Sequence, residues 1–218
     1  MAITPRALCL LGAVLTLPGC ATVAMNAALR AAHPHPPWNG EVAVASEPPG
    51  ARCTVNRGDR VLAEVAATPG TVQLSRSHSP LEVRCTADGH LEAAEMLRPS
   101  DDPAVFRMAP NGIIGATATV ISLASARTMR YPSEVTVALP PATFATEAAR
   151  ERWFAERRQS VIARRAEAIA LAEERCRADE NTCDPALMVM QREQSEDLGR
   201  LEALQAQAGV ATRMAAAE

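Results

Sequence analysis

The sequence contains no lysine, so all 22 of its basic residues are arginines. These arginines are interleaved with 25 acidic residues, which leaves a formal net charge of −3. Nucleic-acid-binding domains concentrate positive charge on one face, because contacts with phosphates supply most of their affinity. No basic run stands apart from acidic neighbours in this sequence. We therefore expect no nucleic-acid partner.

Aromatic side chains and long apolar stretches are also scarce. The 218 residues include two Trp, one Tyr and three Phe, which predicts a sparse hydrophobic core. A chain of this length fits one or two modest domains. The apolar stretches at residues 7–17 and 111–126 are both shorter than the ~20 residues that a membrane-spanning helix requires.

Catalytic motifs are missing as well. The sequence has no Gly-x-Ser-x-Gly element, no HExxH element and no glycine-rich phosphate loop. A hydrolase needs a nucleophile beside a general base that a third group orients. The histidines are His33, His35, His78 and His90, and none of them belongs to such an arrangement. We therefore expect no enzymatic activity and no cofactor.

The first twenty residues have the layout of an export signal. Arg6 supplies one positive charge, and residues 7–17 have the length of a signal-peptide core. The tetrapeptide Leu17-Pro18-Gly19-Cys20 follows, and it resembles the lipobox of bacterial lipoproteins. The resemblance implies that residues 1–19 are a signal peptide and that Cys20 becomes the lipidated first residue of the mature chain.

The lipobox resemblance also implies a location. Ala21 follows the cysteine, and the absence of Asp at this position favours the outer membrane, with the protein facing the periplasm. Two or three acyl chains on Cys20 would give a stable membrane attachment. Residues 20–40 would form this lipidated N-terminus and a proline-rich linker that stays extended. Within the linker we interpret His33 and His35 as spacer rather than as metal ligands.

Four cysteines remain once Cys9 and Cys20 are set aside: Cys53, Cys85, Cys176 and Cys183. In an oxidising periplasm four thiols indicate two disulfides, which three pairings could form. We expect the pairs Cys53–Cys85 and Cys176–Cys183, because each pair lies within one predicted unit. The alternative is a four-cysteine metal site, but none of the spacings is the short C-x2-C type. We therefore expect no metal.

Residues 41–108 show the alternation of polar and apolar residues that is typical of β-strands. Strand-like segments occupy residues 41–46, 52–56, 61–66, 71–74 and 81–86. Turn residues separate them at intervals of ~8–12 residues, a pattern that predicts a small antiparallel β-sandwich. We expect Val55, Val83 and Cys85 to face its interior, and Glu82 and Arg84 to face water.

The string VAVASEPPGARCTVNRG, followed by ATPGTVQLS and LEVRCTADGH, resembles a PEGA domain. The positions that match this family are Ser46, Pro48, Gly50, Ala51, Val55, Asn56, Gly58, Thr68, Pro69 and Gly89. His90 stands where the family has an aromatic residue, and one glycine before the Thr-Pro pair is missing. The resemblance implies a β-rich extracytoplasmic module, of a kind associated with binding cell-surface polymers, and it brings no catalytic residues.

A small-residue segment follows the predicted strands. Residues 111–126 are uncharged, and their Gly and Ala residues would allow close helix packing. We interpret this segment as a helix packed on the sheet, with membrane insertion or an oligomer contact as the alternative. Residues 134–139 alternate again and predict one further strand. The predicted β domain thus extends over residues 41–144.

Residues 145–218 are rich in Ala, Arg and Glu and predict a helical hairpin. Thr146 and Glu147 begin the first helix, and Asp184 and Pro185 begin the second. Apolar residues recur at three-to-four spacing along each helix, while paired charges predict a solvated face. The apolar stripe is thin for a self-sufficient hairpin, so docking of a partner helix is an equal alternative.

Trp153 and Phe154 are the candidate partner-binding residues of this tail, because large aromatic side chains dominate binding hot spots. The alternative is that both simply pack the tail against the rest of the protein. The sequence as a whole indicates an α+β envelope lipoprotein with a structural or protein-binding role, attached to the membrane by its lipid. Binding to peptidoglycan or surface polysaccharide is the competing interpretation, but residues 41–105 lack the aromatic rings that sugar sites usually include.

Overall fold

The computed structural model describes residues 28, 31–32, 36–102, 104–105, 126–178 and 184–211. It confirms the α+β class, with several small sheets and two helices. Its two compact units are residues 1–84 with 94–137, and residues 85–93 with 138–218. The predicted signal peptide, Cys20, nearly all of the predicted helix at 111–126 and Cys183 lie outside the described residues.

Two sheets contain the longer strands. Their strands are β1 (Glu41–Glu47), β2 (Arg52–Arg57), β3 (Arg60–Val65), β4 (Gly70–Gln73), β5 (Leu81–Thr86), β6 (Ala93–Leu97) and β9 (Glu134–Ala138). A four-stranded sheet has the order β3-β2-β5-β6, and a three-stranded sheet has the order β4-β1-β9. β1 and β4 are antiparallel with Val42 opposite Val72, and β2 and β3 are antiparallel with Cys53 opposite Val65. The shorter β7 (Ser100–Asp101) and β8 (Met129–Arg130) form a separate antiparallel pair.

The alternation in the sequence becomes alternation of burial along these strands, because successive side chains point to opposite faces of a sheet. Val55, Val83 and Cys85 are completely buried, as predicted, whereas Arg84 is exposed. Cys53 in β2 and Cys85 in β5 form a disulfide between neighbouring strands of the four-stranded sheet. This is the first of the two expected pairs.

One strand of the four-stranded sheet has no counterpart among the predictions. Residues Ala93 to Leu97 form β6, although Ala and Glu, which make up three of its five residues, have low β-propensity. Ala93 and Leu97 are buried, and the three residues between them are half-buried. Burial of Ala93 and Leu97 therefore outweighs the low β-propensity of this segment.

The second unit contains a helical hairpin. Its helices are α1 (Glu147–Ala178) and α2 (Asp184–Gln207). The Thr146 hydroxyl accepts a hydrogen bond of 3.1 Å from the backbone N–H of Ala149, so Thr146 caps α1 as predicted. Among the described residues, neither helix is long and apolar enough to cross a membrane.

Short backbone pairings hold other segments within this second unit. β10 (Thr143–Phe144) pairs in parallel with β11 (Gly209–Val210). Leu91 donates its N–H to Pro140 at 2.9 Å, and Ala142 donates to Gly89 at the same distance. Residues 85–93 and 138–144, which the sequence grouped with the β domain, therefore belong to the unit that contains the hairpin.

Candidate interaction surface on the helical hairpin

The aromatic residues of the hairpin lie at its base, in a hydrophobic cluster. The buried members are Phe144, Phe154, Leu201 and Ala208, and the partly buried ones include Leu91, Ala149, Trp153 and Leu204. Phe154 is completely buried, with its ring centroid 6.0 Å from that of Phe144. It is therefore a core residue, which removes it as a candidate partner contact.

Trp153 is only partly buried, but it faces the same cluster. Its ring meets the Phe154 ring edge-on with the centroids 4.7 Å apart, and the Phe144 ring at 6.3 Å. The guanidinium of Arg157 lies 5.3 Å from the centre of the Trp153 ring and covers part of it. Both aromatic residues thus pack within the base of the hairpin. Sequence analysis had named such packing as the alternative to a partner contact.

The middle of the hairpin is held by charge rather than by apolar packing. Arg165 on α1 donates to Glu193 at 2.7 Å and to Asp197 at 3.0 Å on α2, and Arg200 also bonds to Asp197. Burial of Arg165 acts to lower its pKa, but its hydrogen bonds to Asp197 and Glu193, together with the charges of these carboxylates, outweigh burial and raise that pKa. These pairs fix the register of the antiparallel helices, since a slip by one turn would leave charges unpaired.

Beyond this network, toward the turn, the helices expose apolar side chains. Leu187, Met188, Val189 and Met190 form one uninterrupted apolar turn of α2. Met188 is 61% exposed and Val189 is 42% exposed, while Leu187 and Met190 are half-buried. Because these residues surround the helix, α1 can cover only part of them.

The opposing part of α1 is also apolar. Arg165 lies opposite Glu193 and Asp197, so one turn further along each helix Ile169 comes level with residues 189–193. Ile169 is half-buried, and Ala166 and Ala170 beside it are exposed. We call residues 187–190 of α2 the apolar band.

Exposed charges border the apolar band with opposite signs on the two helices. On α1 they are the acidic side chains of Glu167 and Glu173. On α2 the nearest is Arg192, whose side chain is 69% exposed and lies 3.7 Å from Glu196. The band is therefore apolar at its centre and charged at its rim, which is the composition of a protein–protein interface.

A second polar cluster joins the turns at Pro48 and Pro69. The hydroxyls of Ser46 and Thr68 lie 2.5 Å apart, and the Thr68 hydroxyl also accepts a 3.0 Å bond from the N–H of Ala51. The backbone of Thr68 bonds to Gly50 and to Ala51. All of these groups find partners within the turn, so the cluster is a structural brace rather than a binding site.

A third cluster surrounds the buried carboxylate of Asp102. Arg76 donates to it at 2.7 Å, and the backbone N–H groups of Trp38 and Ala104 each donate at 3.1 Å. Burial acts to raise the pKa of Asp102, but the hydrogen bonds from Arg76, Trp38 and Ala104 outweigh it and lower that pKa. The Arg76 guanidinium also stacks 5.4 Å from the Trp38 ring centre, which in turn meets Tyr131 edge-on at 6.0 Å.

This third cluster binds the end of the proline-rich linker to the β unit. Arg76 donates to the carbonyl of Trp38 at 2.8 Å and to that of Met129 at 2.6 Å. Sequence analysis placed Trp38 in the extended linker of residues 20–40 and predicted no such attachment. These hydrogen bonds are internal to the protein and attach the end of the linker to the β unit.

The remaining predicted site residues are Cys20, Cys176 and Cys183. Cys20 and Cys183 lie outside the described residues, and only the backbone of Cys176 is described. In the part of the chain that the structure describes, no group of three or more His, Cys, Asp or Glu side chains could hold a metal ion. Comparison with known protein families, curated proteins and solved structures gave no match.

Sequence analysis missed Met188 and Val189, because it followed the three-to-four spacing of the stripe through Leu187 and Met190. A signal for them is present in the sequence. A helix that is apolar on all sides is normally buried. Four consecutive apolar residues in an otherwise charged helix therefore predict that α1 alone cannot bury this turn.

Proposed function

We propose that this chain is a lipid-anchored lipoprotein of the bacterial cell envelope, with a scaffold role in which its helical hairpin binds protein. The observation that carries the protein contact is the exposed apolar turn with Met188 and Val189 at its centre. The lipid on Cys20 and the outer-membrane location facing the periplasm follow from the lipobox resemblance alone.

The distribution of exposed apolar side chains favours the hairpin over the β unit. Among the described residues, large apolar side chains at least 36% exposed are Val61, Ile162, Met188 and Val189, and three of these four lie on the hairpin. Exposed apolar side chains grouped together and rimmed by polar residues mark interaction sites, whereas single ones such as Val61 are ordinary. Methionine is suited to such surfaces because it is flexible and polarizable.

The PEGA-like sandwich belongs to the same proposal. The positions that carry the resemblance converge in space: Ser46, Gly50, Ala51 and Thr68 are joined by hydrogen bonds, and Gly50 has a φ of +89°. This convergence supports a family-type turn rather than a chance match. We assign this module the role of a spacer and support for the hairpin, because its strands from β1 to β9 contain no aromatic residue that could stack on a sugar.

The test uses a photoreactive amino acid at position 188 of the full chain, with position 61 as the matched control on the β unit. After irradiation in living cells, adducts are separated by electrophoresis and identified by mass spectrometry. We expect protein adducts from position 188 and few from position 61. The absence of protein adducts at position 188, or retention of the chain on purified peptidoglycan after the hairpin surface is mutated, would overturn the proposal.

A truncation before the hairpin would be a poorer test of this surface. Phe144 packs against Phe154, and β10 pairs with β11 beyond the hairpin. Removing the helices would therefore expose the core of the second unit to solvent and create a new apolar surface that could bind other proteins nonspecifically. Point substitutions within the apolar band avoid this problem.

A further inference from the structure

The most exposed side chain of the apolar band is a thioether. Met188 is 61% exposed and lies between Leu187 and Val189 in the band. Oxidation converts the flexible, apolar side chain of methionine into a polar sulfoxide. We propose that Met188 is a modification site for peroxides, and that its oxidation weakens the protein contact of the apolar band. This inference rests on the proposed function and adds regulation to the same surface.

The two methionines of the band lie on opposite sides of α2. Arg165 of α1 bonds to Glu193 and Asp197 on α2. Met190 lies one and two turns before these two residues, so it is on the side of α2 that faces α1. Met188 is about 200° further around the helix and therefore points away from α1. The burial agrees, because Met190 is half-buried and Met188 is exposed. A dissolved peroxide thus reaches the sulfur of Met188 more readily.

The other methionines in the part of the chain that the structure describes are also better protected. Met96 in β6 and Met129 in β8 are both half-buried. Oxidation of Met188 should therefore precede oxidation within the β unit. Because Met188 is exposed, one added polar oxygen should change the stability of the fold little. The modification then acts on the contact and leaves the fold intact.

The chemical step is the transfer of one oxygen atom. A lone pair on the sulfur of Met188 attacks one oxygen of the peroxide, the O–O bond breaks, and an S–O bond forms. With hydrogen peroxide the other oxygen leaves as water once the protons have transferred. The thioether loses two electrons and the peroxide gains them. Methionine sulfoxide reductases reverse the change, so the modification is suited to regulation.

The sulfoxide oxygen is a hydrogen-bond acceptor, which an apolar interface would leave without a donor. Burying an unpaired polar group costs free energy, so the oxidised band should bind its partner less tightly. We expect the contact to weaken by about tenfold. The unbound chain is the form that reacts, since a bound partner covers the sulfur.

The first measurement uses the full chain in detergent, treated with dilute hydrogen peroxide. Tryptic digestion and mass spectrometry give the oxidised fraction of each methionine over time. No arginine separates Met188 from Met190, so the two are compared within one peptide. We expect Met188 to be oxidised several-fold faster than Met190, with an unchanged thermal midpoint while only Met188 is oxidised. Equal rates at the two residues, or a lower midpoint, would overturn the inference.

The second measurement follows the protein contact. A photoreactive amino acid is placed at position 192, one turn beyond Met188 on the same face of α2. Envelope membranes that contain this chain are irradiated with and without peroxide treatment, and protein adducts are quantified. We expect the yield to fall about tenfold after oxidation and to return after treatment with methionine sulfoxide reductases.

The matched control is Met188→Leu, because leucine keeps the apolar surface and has no sulfur. This variant should retain its adducts after peroxide treatment. Met188→Gln, which places a polar group of similar length at the same position, should lose them without treatment. Adducts that persist after Met188 is oxidised would overturn the inference. An equal loss in Met188→Leu would also overturn it, because the sensitive group would then lie elsewhere.

These results are distinguishable from failure of the proposed function. If the untreated chain gives adducts that peroxide does not change, the protein contact stands and only its regulation is wrong. If the untreated chain gives no protein adduct from position 188 or position 192, the proposed function fails and this inference fails with it.

Discussion

The guanidinium of Arg76 lies 2.7 Å from the carboxylate of Asp102, and that carboxylate is completely shielded from solvent. Removing one partner of a buried ion pair leaves the other charge without compensation. Arg76→Met should therefore lower the free energy of unfolding by about 3 kcal/mol, as measured by urea denaturation.

The control for Arg76→Met is Arg84→Met. Arg84 pairs with Glu82 at 2.9 Å, but both side chains are partly exposed. An exposed pair contributes little, so this variant should change the free energy of unfolding by less than about 1 kcal/mol. Equal losses in the two variants would contradict the structural importance of the Asp102 cluster.

The lowered pKa of Asp102 predicts a specific dependence of stability on pH. A carboxyl group whose folded pKa lies below its unfolded value of about 3.9 stabilises the fold in full above that value. The contribution disappears as the pH falls through the folded pKa. Between pH 5 and 8 the wild type should exceed Asp102→Asn in stability by a constant amount, and the difference should shrink below about pH 4. A difference that widens in acid would refute this assignment.

The Asp102 cluster also shows that contacts between distant residues could not be predicted from the sequence. The strand at residues 81–86 was predictable because strict alternation and a closing turn are local features. The contact of Asp102 with Arg76, 26 residues away, and with Trp38, 64 residues away, depends on how the strands are arranged in space. No local pattern encodes such a pairing. Sequence analysis therefore described the linker only as extended and did not predict its attachment.

The hairpin illustrates a second limit. Its helices and the Thr146 cap were predictable from composition and capping residues. The sequence did not predict which aromatic residue faces inward, because Trp153 and Phe154 are adjacent and the apolar stripe of α1 is thin. Leu201 and Ala208, which are distant in sequence, complete the buried cluster that contains Phe154.

Substitutions at the base of the hairpin follow from this packing. Phe154→Ala should lower the free energy of unfolding by about 3–5 kcal/mol, because it empties a fully buried site. Trp153→Ala should cost less, since its ring is partly exposed, yet still lower the thermal midpoint by several degrees. Calorimetry on both variants provides the measurement. An unchanged midpoint in Trp153→Ala, together with weaker recovery of a partner, would instead restore Trp153 as a contact residue.

The lipid attachment has a direct chemical test. Cys20→Ala should leave the precursor uncleaved by the lipoprotein peptidase, and a clickable fatty acid should label the wild type alone. Cys9→Ala is the matched control, because Cys9 lies within the proposed signal peptide. Equal labelling of the wild type and Cys20→Ala would contradict the proposal that the chain is a lipoprotein.

The most direct test of the central claim compares Val189→Glu with Val61→Glu. The two valines are 42% and 48% exposed, so the same change places a carboxylate on the apolar band or on β3 at similar exposure. Both variants should keep the wild-type thermal midpoint within about one degree, because exposed substitutions change stability little. Proteins recovered with the chain after crosslinking in cells are then quantified by mass spectrometry. We predict that Val189→Glu loses most of the recovered protein while Val61→Glu retains it; equal recovery from both variants would contradict the account.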